Sequence, residues 1–91
     1  MATMNHYIPL CRLRPGQQAT VQALYSAGGM RRRLTDIGLI PGSRVTCIGR
    51  SPGGDPAAYR IRGAVIAIRD EDARRVQVRL SPQQGGEETW D

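Results

Sequence analysis

The sequence predicts a mainly β fold: a small β-barrel with one short inserted α-helix. Three observations predict it. Six short segments alternate apolar and polar residues with the period of two that half-buried strands show. One stretch, from Met30, changes to a helical period. The segments are separated by turn chemistry: Gly38 with Pro41-Gly42, then Ser51-Pro52-Gly53-Gly54-Asp55-Pro56, then Arg62-Gly63. The length of 91 residues fits one domain. Such a chain buries roughly 60–65% of the surface exposed when unfolded, enough for one small core. Phe is absent, and Val, Ile, Leu and Ala dominate the apolar residues. A core of small aliphatic pieces suits a narrow barrel.

The elements follow in order. Ile8-Pro9-Leu10-Cys11-Arg12-Leu13 reads as a strand, and Pro9, with no N–H to donate, places it at an edge. Arg14-Pro15-Gly16-Gln17 is a turn. Ala19, Val21, Ala23 and Tyr25 share one face of the next strand, which Gly28-Gly29 ends. Met30, Leu34 and Ile37 then fall at i, i+4 and i+7, one face of a helix over about residues 29–37. Gly38 stands where a left-handed C-terminal cap belongs, and Pro41-Gly42 prevents continuation. At roughly ten residues the helix is not stable alone, so its apolar face must be clamped onto the barrel. Val45 and Cys47 alternate with Arg44, Thr46 and Ile48 in the next strand, Tyr59 and Ile61 then point one way, Ala64, Ile66 and Ile68 share a face against Val65, Ala67 and Arg69, and Val76, Val78 and Leu80 close the set with Arg75, Gln77 and Arg79 outside. Asp70-Glu71-Asp72-Ala73 is a single helical turn. Residues 1–7 form an N-terminal extension, 8–80 the barrel, and 81–91 a polar tail without pattern, expected to be disordered.

The charge is uneven. All 13 basic side chains are Arg, and the net charge is +5. Residues 1–80 hold 13 Arg against five carboxylates, a net of +8. Such a body is drawn to polyanions or to an acidic partner surface. No apolar run approaches the ~20 residues that span a bilayer, and the N-terminus lacks the basic and apolar regions of a secretory signal. The reading is a cytoplasmic, not membrane-embedded protein with Cys11 and Cys47 reduced, both in strands as small core residues.

Chemistry is scarce. The soft metal ligands are His6, Cys11 and Cys47, with no paired-ligand spacing, whereas a closed zinc site needs four donors. No metal site and no cofactor are expected within one chain. A single His cannot supply a Ser, His and acid trio, and Gly53-Gly54 lacks the Lys-Ser/Thr of a phosphate loop. The reading is therefore non-enzymatic. A small basic barrel that binds nucleic acid is the alternative. Single-strand binders combine charge with stacking aromatics, and Tyr25 and Tyr59 read as inward-facing. No nucleic-acid partner is expected.

The run Arg33-Leu34-Thr35-Asp36-Ile37-Gly38-Leu39-Ile40-Pro41-Gly42 resembles the signature of FeoA proteins. The loop Pro52-Gly53-Gly54-Asp55-Pro56, then Arg62-Gly63, then Ile66-Ala67-Ile68-Arg69 resemble the family's later motifs, in order and at consistent spacing over about residues 8–80. The resemblance implies an SH3-like barrel. It also implies an accessory role in bacterial ferrous iron uptake, beside FeoB, a membrane transporter with a cytoplasmic GTP-binding domain. Arg31, Arg32 and Arg33 on the outer helix face are the expected partner-binding residues. The loop Gly54, Asp55 and Pro56 joins them as a rigid recognition tip, and Leu39, apolar in a turn beside the helix end, is either a core plug or a further exposed contact. A homo-oligomer is compatible with the sequence.

Overall fold

The computed structural model describes residues 7–81. His6, Trp90 and the expected disorder of the tail beyond Ser81 lie outside the described residues. Strands β1 (Tyr7–Pro9), β2 (Gln18–Leu24), β3 (Arg44–Arg50), β4 (Ala57–Ile61), β5 (Ala64–Ile68) and β6 (Val76–Leu80) form one sheet. Its order is β1-β6-β2-β3-β4-β5, and every ladder is antiparallel. The edges β1 and β5 share no ladder, so this SH3-like barrel stays open along one seam. Helix α1 spans Gly28–Asp36 and the single turn α2 spans Asp70–Ala73.

The core is aliphatic, as the composition requires. Val21, Val45, Ile61, Val76 and Val78 supply it from the strands, Leu34 from α1, and Tyr59 is its aromatic centre. Cys47 is buried among them. The tight turns use the residues the sequence offers. Gly16 and Gly42 each follow a proline and take φ of +91° and +94°. Ser43 N–H closes the second of these turns on Ile40 O at 3.0 Å. Between β4 and β5, Arg62 and Gly63 both take positive φ, 52° and 85°, the type I′ geometry of a two-residue hairpin.

Three expectations are corrected. The first strand stops at Pro9, and Leu10–Arg12 is a 3-10 turn. Cys11 is therefore not in a strand. Leu10 and Leu13, three apart, both reach the core, as one face of such a turn does and one face of a strand does not. In β2 the register against β6 shifts by one between Val21 and Ala23. This bulge turns Leu24 inward and leaves Tyr25 64% exposed, so Ala23 and Tyr25 do not share the core face of Ala19 and Val21. In β5 only Ile68 is fully buried, with Ile66 half-buried and Ala64 exposed, because β5 is an edge.

Candidate functional site

Helix α1 positions three of the seven expected partner-binding residues, and its own chemistry fixes where they point. Leu34 is buried, and Met30 and Ile37 pack against the core beside it. The helix ends in a Schellman arrangement. Leu39 N–H donates to Leu34 O at 2.9 Å and Gly38 N–H donates to Thr35 O at 3.0 Å, with Gly38 at φ +104°. The accompanying apolar contact is Leu39, which is fully buried. Leu39 is thus a core plug beneath the helix end, which removes it from any docking surface.

The three arginines are not equivalent. Arg31 turns back, and its guanidinium donates to Leu24 O at 2.8 Å, tying the start of α1 to the end of β2. Arg32 and Arg33 are exposed and have no ion-pair partner among the described residues. Arg33 also rims a cleft of about 190 Å³ between α1 and β5, floored by Met30, Leu34, Ile66 and Ile68 and edged by Arg69 and Asp72.

The loop Gly54-Asp55-Pro56 is held from both ends. Ser51 N–H donates to Pro56 O at 3.0 Å and Gly54 N–H to Ser51 O at 2.7 Å. The Asp55 carboxylate accepts from Asp70 N–H at 2.9 Å, capping the entry to α2. The carboxylate thus serves a distant backbone, whereas turn chemistry alone has Asp satisfying its own loop. Gly54 and Pro56 are half-buried and Asp55 exposed. The loop meets α2 at Asp70, and Asp72, two residues on, edges the cleft beneath α1. Arg33 and the loop thus both border α2, Arg33 through the cleft it shares with Asp72 and the loop through Asp70.

Arg50, which the sequence reading did not single out, joins these parts. Its guanidinium donates to Cys11 O, to Leu13 O at 3.2 Å and to Gly54 O at 3.3 Å, and lies 3.5 Å from the Asp70 carboxylate. One planar cation thus ties the 3-10 turn, the loop and α2 together. A lone Arg at a strand end carries no motif. The signal available was its place directly before the Pro- and Gly-rich loop.

Tyr59 and Cys47 are structural. Burial pushes the Tyr59 hydroxyl well above its ordinary range, and the hydroxyl donates to Leu10 O at 3.4 Å. Burial likewise raises the Cys47 thiol, with Arg50 opposing, so the thiol stays protonated and a poor nucleophile. Among the described residues no three His, Cys, Asp or Glu side chains converge as metal ligands. No described helix is long and apolar enough to cross a membrane. The outward turn of Tyr25 places it with Tyr7 and Arg74 on a shallow hollow of about 130 Å³.

Comparison with known proteins is consistent across sequence and structure. The model of the FeoA domain family matches residues 8–80. A curated Fe(2+) transport protein A/Fe(2+) transporter FeoB fusion protein of Porphyromonas gingivalis is 32% identical over 71 residues. Those residues are 78% of this chain, and the chain spans only 8% of that relative's length. The solution structure of the FeoA protein from Chlorobium tepidum superposes with a TM-score of 0.79 at 27% identity, covering 92% of this chain and 81% of the other. Stenotrophomonas maltophilia FeoA complexed with zinc, described as a prokaryotic SH3 domain protein, gives 0.69 at 26% identity, covering 84% and 89%.

Proposed function

The chain belongs to the FeoA domain family, and from that premise we propose that it is a non-enzymatic cytosolic accessory of ferrous iron uptake. It docks on the cytoplasmic side of a FeoB-like transporter and modulates it. The observation that carries the reading is the free arginine face of α1, Arg32 and Arg33, beside a loop fixed by Arg50 and Asp55. Interfaces favour Arg, whose fork pairs with carboxylates, and a rigid loop loses little freedom on binding. The Porphyromonas relative, in which the two proteins form one chain, supports transporter association.

The surface is Arg32 and Arg33 with Asp55 and the flanking Gly54 and Pro56. Arg31 supports it from behind, because its guanidinium is engaged by Leu24 O. The test is capture of full-length transporter by wild type and by the Arg32→Glu/Arg33→Glu variant, with iron uptake measured in parallel. Both positions are exposed, so the variant should keep its fold at a cost near ~0.5 kcal/mol per site. Capture and uptake should both be lost. Equal capture and uptake would remove the arginines from the mechanism. Failure of the wild type to bind, with tight binding of labelled single-stranded nucleic acid, would replace this reading with the nucleic-acid one.

A further inference from the structure

The two edges of the sheet are treated differently. β1 is three residues long and ends in Pro9, so it offers a neighbour little to pair with. β5 is Ala64-Val65-Ile66-Ala67-Ile68, with no charge, no proline and no bulge in its ladder to β4. Val65 is 53% exposed. An open, regular, apolar edge lacks the usual devices that stop strand pairing.

The hairpin geometry fixes which groups that edge presents. Ile61 and Ala64 flank the two-residue turn and are Cα partners. Such a flanking pair exchanges both its hydrogen bonds, and in an antiparallel ladder bonded and non-bonded pairs alternate. Ala64, Ile66 and Ile68 therefore bond to β4, and the N–H and C=O of Val65 and Ala67 point to the open side.

We propose that this edge pairs with the β5 of a second copy, antiparallel and centred on Ile66, to form a two-fold symmetric dimer with a continuous sheet. In this register Val65 of each copy lies opposite Ala67 of the other, so the outward amides and carbonyls meet as hydrogen-bonded pairs. All five residues of β5 are paired. Shifting either way to the next register that keeps those amides facing leaves three paired. On the outer face, Ala67 borders an apolar hollow of about 350 Å³ made with Ile48 and Ala58, and Val65, two residues along the same face, is exposed, so the seam joins two apolar patches. Because the surface is self-complementary, assembly closes at two copies.

The experiment is sedimentation of the full chain from low-micromolar to near-millimolar concentration, with site-resolved amide exchange on the same samples. Wild type should pass from monomer to dimer and no further, and exchange at Val65 and Ala67 should slow with concentration. Val65→Lys puts a charge on an exposed edge position. It should keep the monomer's circular dichroism spectrum and weaken dimerisation at least roughly tenfold. A wild type monomeric throughout would overturn the proposal. So would open-ended growth, a dimer indifferent to Val65→Lys, or concentration-dependent protection at β1 in place of β5.

Discussion

At the scale of single residues, burial decides what each titratable group does. Tyr59 is fully buried, and its hydroxyl is held above the ordinary tyrosine range mainly by loss of water. Cys47, beneath the same sheet, is raised for the same reason. Both are neutral in the fold, and both would ionise earlier in the unfolded chain. Their contribution to stability is complete below the unfolded values, about 8.5 for Cys and 10 for Tyr. It falls as pH rises through and beyond those values, because the unfolded chain then binds fewer protons. Chemical denaturation from pH 7 to pH 11 should show a midpoint that declines above about pH 9. Tyr59→Phe should flatten the upper part of the decline, at a cost of about 1 kcal/mol near neutrality for the lost hydrogen bond. An unchanged slope would place the alkaline sensitivity elsewhere.

At the scale of elements, α1 depends on its end and on its one buried leucine. A Cβ on Gly38 would stand 2.5 Å from Arg62 Cδ and 3.3 Å from Ile61 Cγ2, at a φ of +104°. Gly38→Ala should cost about 1–3 kcal/mol, and adding Arg62→Ala should recover only part, since the backbone strain remains. Leu34→Ala should cost about 2–5 kcal/mol, read by denaturant titration, because Leu34 is the buried side chain that anchors α1 in the core. The sequence made this element legible since its signals were local: Met30, Leu34 and Ile37 at helical spacing, and Gly38 past the last of them. The observed span, Gly28–Asp36, is one residue earlier than the reading at both ends. The bulge in β2 left no such signal. Up to Val21 alternation holds, and the step that turns Leu24 in and Tyr25 out depends on how β6 pairs across from it. The 3-10 turn was half legible, with Pro9 ending a strand and Leu10 and Leu13 spaced by three. Beyond its place before the loop, the role of Arg50 was not legible, because two of the carbonyls it gathers lie 37 and 39 residues away at Leu13 and Cys11.

At the scale of the whole molecule, charge imbalance governs encounter. Thirteen Arg face eight carboxylates over the chain, and the described residues hold a single ion pair, Arg50 with Asp70. Association with an acidic partner face should therefore be fast at low salt and slow as salt is raised, since exposed charges more than about 10 Å apart are largely screened at 0.1 M. Kinetic binding measured across ionic strength should give a steep dependence for wild type and a shallower one for Arg32→Glu/Arg33→Glu. Parallel slopes would mean that the partner meets another face. Here the sequence made the class of surface legible from its arginines, and the fold then divided their roles. Arg31 and Arg50 hold the structure, and Arg32 and Arg33 remain available.

The pairing of Tyr7 with Arg79 has a mechanical consequence. Strand β1 enters and β6 leaves at the same corner, running in opposite directions. A pull applied to both ends loads the rungs between them one after another, as a zipper is opened, and not all together in shear. The three-residue β1 would peel first, and the core behind β6 would feel the load only afterwards. Tethered at one end only, as a domain appended to a larger machine, the fold carries no such load. It can swing on its attachment while its barrel stays intact.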